Sequence, residues 1–160
     1  MSETIEDSGS CHCKSVKFKV SGTIVMNAYC HCKACAHNRA MSPVHLIGVA
    51  PPEAIVITQG ENFLQTTKGY GKMIHIFCAK CGCMIYQYPK GAPFRAILPT
   101  NFHIEEGVCC KLPEKYLPQL HVNYENRHYD WYDHLPKFKV FPPEGMVDNQ
   151  GNELNEPSKM

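Results

Sequence analysis

The stretch that decides the fold is Tyr29-Cys30-His31-Cys32-Lys33-Ala34-Cys35, which places three thiols within six positions. Cysteines spaced this closely are typical ligands of a zinc ion. Zinc takes four protein ligands in a closed structural site and keeps one position for water or substrate in a catalytic site. Three local ligands therefore predict a metal site with one open position.

Two more cysteine clusters lie on either side of this stretch. They are Cys11-His12-Cys13 near the N-terminus and Cys78-Ala79-Lys80-Cys81-Gly82 in the middle of the chain. The second has the Cys-x-x-Cys-Gly pattern of a zinc knuckle at a hairpin tip, because its glycine permits the positive φ that turns backbone amides toward the sulfurs. Together the two clusters supply four thiols, which is the ligand number of a closed zinc site.

These spacings predict two zinc ions per chain. The ligands of the structural ion would be Cys11, Cys13, Cys78 and Cys81, and those of the second ion would be Cys30, Cys32 and Cys35. Three thiolates already make the second site anionic, so the site suits a soft incoming thiol better than the activation of water. We therefore predict thiol chemistry at the second site, with its cysteines at the catalytic centre.

The other cysteines and the nearby histidines leave alternatives open. Cys83, or a histidine, could complete the second site and close it. Cys109 and Cys110 are interpreted as small buried hydrophobic residues. His12 and His31 each stand between two cysteines and would project away from the thiols on an extended backbone. The candidate partners for substrate carboxylates are Lys33, Arg39, Lys72 and Arg95.

Composition limits the class of protein. The chain has 160 residues, ten cysteines and a formal net charge of +1. This is the length of about one domain, and the balanced charge offers no basic surface for nucleic acid. No apolar run approaches the roughly 20 residues of a membrane-spanning helix, and the N-terminal segment lacks the pattern of a secretory signal. We expect a cytoplasmic protein with reduced thiols and with no nucleic-acid or membrane partner.

Alternation of apolar and polar residues predicts a mainly β chain. The predicted strands span residues 16–20, 23–28, 44–50, 54–58, 63–67, 72–78, 84–88 and 94–98. Residues 33–40 favour one or two helical turns, and the spacing of Trp131 and Leu135 suits a second short helix. The expected organisation is a flexible N-terminus at 1–8, a zinc-binding domain at 9–141 and a polar C-terminal tail at 142–160.

The cysteine motifs resemble those of one family. In chain order they are Gly9-Ser10-Cys11-His12-Cys13 followed by Val16-Lys17-Phe18-Lys19-Val20, then the opening stretch, then Phe77-Cys78-Ala79-Lys80-Cys81-Gly82. This order and spacing are similar to those of the glutathione-dependent formaldehyde-activating enzyme family, which includes the centromere protein V type domain. The resemblance extends from about residue 9 to about residue 141.

The resemblance implies an Mss4-like fold of antiparallel sheets with zinc knuckles and one or two short helices. It also implies a structural zinc and a catalytic zinc at the same two sets of cysteines that the spacing selects. The family's namesake reaction joins formaldehyde to glutathione to give S-hydroxymethylglutathione, which is formally a carbon–sulfur lyase running in reverse. The implied cofactors are two zinc ions with glutathione as thiol co-substrate, and the implied partners are a small thiol and an aldehyde.

The sequence departs from the family pattern at Lys14 and Ala40, where glycine is common, and at Cys83, where a small hydroxyl residue is usual. The expected function is a zinc-dependent carbon–sulfur lyase-type enzyme that acts on glutathione, or a similar thiol, and on formaldehyde or another aldehyde. A different class of function is a non-catalytic, zinc-stabilised glutathione carrier or protein-interaction module, because a fold does not determine a function. The balanced charge disfavours a zinc-ribbon nucleic-acid binder.

Overall fold

The structure is a computed structural model that describes residues 3–102 and 111–154. The described part is mainly β with mostly antiparallel pairing, which confirms the predicted fold class. The strands are β1 (Thr4–Ser10), β2 (Lys17–Cys30), β3 (Val44–Ala50), β4 (Ile55–Gln59), β5 (Leu64–Lys68), β6 (Met73–Cys78), β7 (Met84–Pro89), β8 (Arg95–Ile97), β9 (Leu120–Val122), β10 (Lys137–Phe138) and β11 (Met146–Val147).

The helical elements are short. The α-helix is α1 (Lys33–Arg39), and single 3-10 turns occupy Pro52–Ala54, Glu61–Phe63, Pro99–Asn101, Glu114–Tyr116 and Tyr124–Asn126. No helix within residues 3–102 and 111–154 is long and apolar enough to cross a membrane. Cys109 and Cys110, which we predicted to be buried, lie outside the described residues.

The chain forms two compact units. The first contains Met1–Asn27 and Leu46–Leu117, and the second contains Ala28–His45 and Pro118–Met160. β2 begins in the first unit, and its last three residues belong to the second. Each unit contains one of the two groups of cysteines that the sequence predicts to hold metal.

The first unit is built from antiparallel strands. β1 and β4 pair with β2, and a second run of neighbouring strands follows the order β3, β8, β7, β6, β5. Phe18 and Val20 of β2 are each 1% exposed, because alternate side chains of a strand point to the same face. Cys11 and Cys78 belong to the same hydrophobic core. Two of the predicted ligands are therefore core residues as well.

The second unit contains parallel pairs in addition to antiparallel ones. The end of β2 pairs with β9 in parallel, β9 pairs with β10 in parallel, and β10 pairs with β11 antiparallel. In the first of these pairs Tyr29 lies opposite His121, and Cys30 lies opposite Val122. This pairing brings the 118–154 segment next to the cysteines of the opening stretch.

β2 is longer than the sequence suggested. We expected one strand to end at Ser21 and Gly22 and another to begin at Thr23, but β2 runs without interruption through all three residues. A Cβ atom at Gly22 would lie 2.5 Å from the carbonyl oxygen of Ala50 and 2.7 Å from Cβ of Ala54. The glycine therefore permits a close approach of two chain segments inside the strand and does not mark a turn.

The short helix that we expected around residues 131–135 is not present in this described segment, so that prediction was wrong. The Trp131 amide donates to the Tyr124 hydroxyl at 2.8 Å, and the Leu135 amide donates to Oδ1 of Asp133 at 3.1 Å. A side-chain acceptor two residues before an amide stabilises a turn, which competes with helical hydrogen bonding.

Strands also occur in the two segments whose polar composition led us to expect little structure. β1 begins at Thr4, and Ile5 is 1% exposed. Val147 of β11 is 4% exposed, and in the same region the Tyr124 hydroxyl donates to the carbonyl oxygen of Asn149 at 2.6 Å. Each segment is thus held by strand pairing together with a buried apolar residue.

Two of the departures from the family pattern share one backbone conformation. Lys14 has φ of 59° and Ala40 has φ of 50°, so both lie in the left-handed region. An L-residue there costs roughly 1–2 kcal/mol, which gives a physical reason for glycine at these positions in the family pattern. Ala40 ends α1, and its amide donates to the carbonyl oxygen of Ala36.

Replacing Ala40 with glycine should raise the free energy of unfolding by up to about 1 kcal/mol. Glycine adopts the left-handed conformation without strain, but it also loses more conformational entropy on folding than alanine does, which offsets part of the gain. The matched control is Ala34→Gly inside α1, which should lower the free energy of unfolding by about 1 kcal/mol. Chemical denaturation with metal present measures both variants. Equal destabilisation by the two substitutions would contradict the left-handed conformation of Ala40.

Candidate metal centres

The first group consists of Cys11, Cys13, Cys78 and Cys81, whose sulfur atoms all lie within 4.8 Å of one another. The sulfurs of Cys11 and Cys13 are 3.6 Å apart, and those of Cys13 and Cys78 are 3.8 Å apart. A tetrahedron of Zn–S bonds of about 2.3 Å separates neighbouring sulfurs by about 3.8 Å. The group therefore fits a structural zinc ion in donor type, number and spacing.

Two tight turns build this group. In the first turn the Lys14 amide donates to the Cys11 carbonyl at 3.0 Å, and the Val16 amide donates to the Cys11 sulfur at 3.3 Å. In the second, the Gly82 amide donates to the Cys78 carbonyl at 2.8 Å, and Gly82 has φ of 72°. The second turn is the knuckle that the sequence predicts, with its glycine in the left-handed region.

The thiols of the first turn differ in acidity. Burial raises the pKa of the Cys11 thiol to about 12, whereas hydrogen bonds with Ser15 lower the pKa of the exposed Cys13 thiol to about 6. Cys13 therefore carries a thiolate near neutral pH, while Cys11 keeps its proton until a cation displaces it. Binding of a divalent metal would release that proton.

The second group consists of Cys30, Cys32 and Cys35, whose sulfurs also lie within 4.8 Å of one another. Cys30 is the last residue of β2, and Cys32 is the N-cap of α1, where its sulfur accepts from the Cys35 amide at 3.3 Å. The Cys32 thiol thus caps the helix that carries Cys35. Cys30 and Cys35 are 6% and 1% exposed, and Cys32 is only partly buried. Cys32 is therefore the most accessible of the three.

Mutual hydrogen bonds divide the charge unevenly within the second group. Those from Cys30 and Cys35 lower the pKa of the Cys32 thiol to about 3. Hydrogen bonding with Cys32 raises the pKa of Cys30 to about 11, and contacts with both neighbours raise the pKa of Cys35. Without metal, the group would concentrate one negative charge on Cys32. Three soft sulfur donors around one charge fit a soft divalent cation.

Neither group includes Cys83 or a histidine within the part of the chain that the structure describes. The Cys83 sulfur lies 3.6 Å from the Met84 carbonyl oxygen and 3.7 Å from Oδ1 of Asn101. In the described residues the second group accordingly consists of three cysteines, the number that the opening stretch supplies. The alternative in which Cys83 or a histidine closes it gains no support here.

His31 takes part in a buried chain of hydrogen bonds. Its Nε2 lies 2.8 Å from Nδ1 of His121, and Nε2 of His121 lies 2.9 Å from Oδ2 of Asp133. Because the carboxylate accepts, Nε2 of His121 carries the proton, and Nδ1 of His121 accepts from His31. These hydrogen bonds fix the tautomers of both imidazole rings and hold the backbone between Cys30 and Cys32 in place.

Lys137 completes this network inside the second unit. It is 2% exposed, and its Nζ donates to Oδ1 of Asp133 at 2.6 Å and to the Leu135 carbonyl at 3.0 Å. Burial disfavours ionised Asp133, but hydrogen bonds from Lys137 and His121 outweigh burial and hold the pKa of that carboxyl below its usual range. The network therefore buries a lysine with its countercharge.

Asn123 contacts a predicted ligand directly. Its Nδ2 donates to the Cys30 sulfur at 3.6 Å, and its backbone amide donates to the Val140 carbonyl at 2.7 Å. Asn123 has φ of 54°, in a region that asparagine tolerates better than most residues. Sequence reasoning missed Asn123, His121 and Asp133 as groups near the site, because only the pairing of β2 with β9 brings them there.

The basic residues proposed as carboxylate partners have different surroundings. The Arg95 guanidinium lies 3.7 Å from the centre of the Tyr88 ring and donates to two backbone carbonyls. Arg39 ends α1 and donates to the side chain of Asn38. Lys33 is exposed in the first turn of the same helix. Of these cations, Lys33 and Arg39 share an element with the second group.

Comparison with known proteins gives one family. A family model described as glutathione-dependent formaldehyde-activating enzyme matches residues 6–126, which include all seven cysteines of the two groups. A Colletotrichum graminicola protein with the provisional name of glutathione-dependent formaldehyde-activating enzyme is 29% identical over 90 residues, covering 54% of this chain and 47% of that protein. The chain thus matches about half the length of this relative.

A solved structure is also similar. The crystal structure of a Rhodobacter sphaeroides protein aligns with a TM-score of 0.48 and 22% sequence identity. The alignment covers 64% of this chain and 90% of the other.

Replacing Asn123 with glycine should weaken metal binding at the second group by about tenfold, because outer hydrogen bonds to ligands typically contribute 10–100-fold in affinity. Glycine keeps the left-handed backbone and removes only the amide. Competition with a chelator measures the affinity, and the first group of the same protein is the internal control. Unchanged affinity at the second group would show that the Asn123 contact does not stabilise the ligand sulfur.

The pH dependence of stability should depend on His45, whose ring lies 5.5 Å from that of Tyr29. Burial lowers the pKa of His45 to about 4, against about 6.5 in an unfolded chain. Between these values the unfolded chain binds more protons, so the free energy of unfolding rises with pH over that interval.

Replacing His45 with glutamine should therefore reduce the slope of the logarithm of the unfolding constant against pH, by up to about one proton, between about pH 4 and 6.5. Denaturant titrations across this interval measure the slope. The matched control is His134→Gln, which removes an exposed histidine and is measured in the same titrations. An equal slope in wild type and His45→Gln would contradict a buried, neutral His45.

Proposed function

Because the chain belongs to the glutathione-dependent formaldehyde-activating enzyme family, we propose that it joins formaldehyde to the thiol of glutathione, or cleaves the resulting S-hydroxymethyl adduct. The observation that supports this most is the group of Cys30, Cys32 and Cys35, with three sulfurs within 4.8 Å at a strand end and a helix N-cap. Three ligands leave a position for an incoming thiol. The reaction is formally that of a carbon–sulfur lyase.

We assign a zinc ion to each cysteine group, with four thiolate ligands in the first and three in the second. Sulfur donors favour zinc over magnesium or calcium, which take oxygen ligands. At the second group the ion would supply a Lewis-acidic position that lowers the pKa of an incoming thiol. The first ion would contribute folding free energy, of order 10 kcal/mol by comparison with zinc-finger peptides.

The proposed step balances without an oxidant or a reductant. The glutathione sulfur attacks the carbonyl carbon of formaldehyde, a C–S bond forms, and the carbonyl π pair moves to the oxygen. The proton that leaves the thiol ends on that oxygen, which becomes the hydroxyl of the adduct. We assign this proton transfer to water. The protein's own part is to bind the thiol and hold its sulfur in position for attack.

Specificity in this reaction would come from the thiol. Formaldehyde has one carbon and offers few contacts, so its binding supplies little free energy. Glutathione is larger and carries two carboxylates, which a protein can recognise through hydrogen-bond donors. We also place the protein in the cytoplasm, where thiols stay reduced, in keeping with its two groups of clustered cysteines.

Exchange NMR on a mixture of formaldehyde and glutathione tests the proposal. Wild-type protein should accelerate formation and loss of the adduct over the spontaneous rate, whereas Cys32→Ser should abolish the acceleration. Elemental analysis should find two zinc ions per wild-type chain and one in Cys32→Ser, which should stay folded because its first group is intact. Cys83→Ser, outside both groups, is the matched control and should retain activity and metal.

Two results would contradict the proposal. Binding of glutathione without acceleration would favour the non-catalytic carrier. If Cys32→Ser unfolded as completely as Cys78→Ser, the division into a structural and a catalytic group would be wrong. Cys78 is 0% exposed and lies in the core of the first unit, so we expect its loss to be the more destabilising.

A further inference from the structure

A cavity of about 240 Å³ lies in the second unit beside α1. We call it the α1 cavity, and its lining residues are Ala36, His37, Ala40, Met41, Ser42, His128 and Tyr129. One side is formed by the C-terminal half of the helix and the residues that follow it. The other side is formed by two aromatic residues after the 3-10 turn at Tyr124–Asn126.

The α1 cavity is adjacent in sequence to the second cysteine group. Ala36, which lines it, directly follows Cys35, and its amide donates to the Cys32 carbonyl at 3.0 Å. Consecutive Cα atoms are about 3.8 Å apart, so the lining begins one residue from a predicted ligand. The helix that positions two of the three thiols therefore also forms a wall of the cavity.

The polar groups of the α1 cavity are suited to an anion. His37 and His128 each offer an imidazole N–H, and the Tyr129 hydroxyl offers a third donor. Ser42 Oγ is buried and has no hydrogen-bond partner within the described residues. A buried hydroxyl without a partner has lost its hydrogen bonds to water, and a ligand acceptor would replace them.

The charged residues near the α1 cavity also favour an anion. Among the residues that the structure describes, none that lines it is acidic, and α1 carries Lys33 and Arg39 but no aspartate or glutamate. The nearby Asp130 carboxylate accepts from Nε of Arg127 at 2.8 Å. The acidic group closest in sequence to Tyr129 is thus already neutralised by an ion pair.

The size of the α1 cavity limits what it can hold. Sites that enclose a whole drug-sized ligand measure about 300–1,000 Å³, so 240 Å³ suits one arm of a tripeptide. In glutathione the glycine carboxylate belongs to the residue after the cysteine, and its carbon lies about 5 Å from the cysteine Cα in an extended chain. This distance is comparable with that between the side chains of residues three or four positions apart on one helix.

We propose that the α1 cavity binds a carboxylate-bearing arm of glutathione, with His128 and Ser42 as hydrogen-bond donors, while the thiol reaches the Cys30, Cys32 and Cys35 group. This proposal rests on the proposed function for its choice of ligand. It adds a subsite that determines thiol specificity. A thiol without a carboxylate would forgo the interactions in this subsite.

Binding of S-methylglutathione, which keeps both carboxylates but has no free thiol, tests the subsite apart from the reaction. Calorimetry should show that His128→Gln and Ser42→Ala each weaken binding about tenfold, as expected for the loss of a hydrogen bond to a charged group. His134→Gln is the matched control at an exposed histidine outside the cavity and should bind as wild type does. Unchanged affinity in both cavity variants would overturn the proposal.

A second measurement separates the subsite from the reaction itself. In the exchange assay, the ratio of kcat/KM for glutathione to that for 2-mercaptoethanol should fall about tenfold in His128→Gln, through KM for glutathione. A parallel loss with both thiols would overturn a carboxylate subsite. If no thiol reacted faster with wild-type protein, the proposed function would fail, yet S-methylglutathione binding that depends on His128 would still support the subsite.

Discussion

The convergence of four sulfur atoms, two of them from buried cysteines, is the constraint on which the first unit depends. Cys11 and Cys78 are 2% and 0% exposed and belong to the same core as Phe18 and Ile97. Burial disfavours ionisation of a thiol such as Cys11, yet the sulfurs of Cys11 and Cys78 lie within 4.8 Å of those of Cys13 and Cys81. A cation among them would neutralise their charge and connect two turns, with Cys13 and Cys78 separated by 65 positions in sequence. The free energy of binding such an ion would offset the entropy that the chain loses when this long loop closes on folding.

The second unit surrounds its cysteines with satisfied polar groups. The cap of α1 is a predicted ligand, and the peptide between Cys30 and Cys32 carries a histidine whose ring bonds to His121. That bond continues to Asp133 and to Lys137, so each of these four side chains has a hydrogen-bond partner. A network of this kind costs less to bury than its isolated members would, and it limits the arrangements available to the ligands. The first unit thus depends on apolar packing around sulfur, and the second on directional bonds.

Predictions that depend on local pattern were the most accurate. Alternation placed Phe18 and Val20 in the core, and the knuckle glycine Gly82 has the positive φ that its motif requires. The errors arose where a distant contact decided the local structure. Gly22 looked like a turn but permits the approach of Ala50, and the expected helix at 131–135 is replaced by turns around Asp133. The presence of a glycine or an aspartate in a sequence does not indicate which residue will contact the glycine or donate a hydrogen bond to the aspartate.

By itself the sequence predicted the two sets of thiols, because each of three short motifs holds its own cysteines close together. It also determined the β character, because alternation follows from the geometry of a strand. Only the tertiary structure placed His121 beside His31, 90 positions away, and Asn123 against Cys30. Only it formed the α1 cavity from two separate segments. These groups meet through the parallel pairing of β2 with β9, which depends on long-range burial and leaves no local pattern in the sequence.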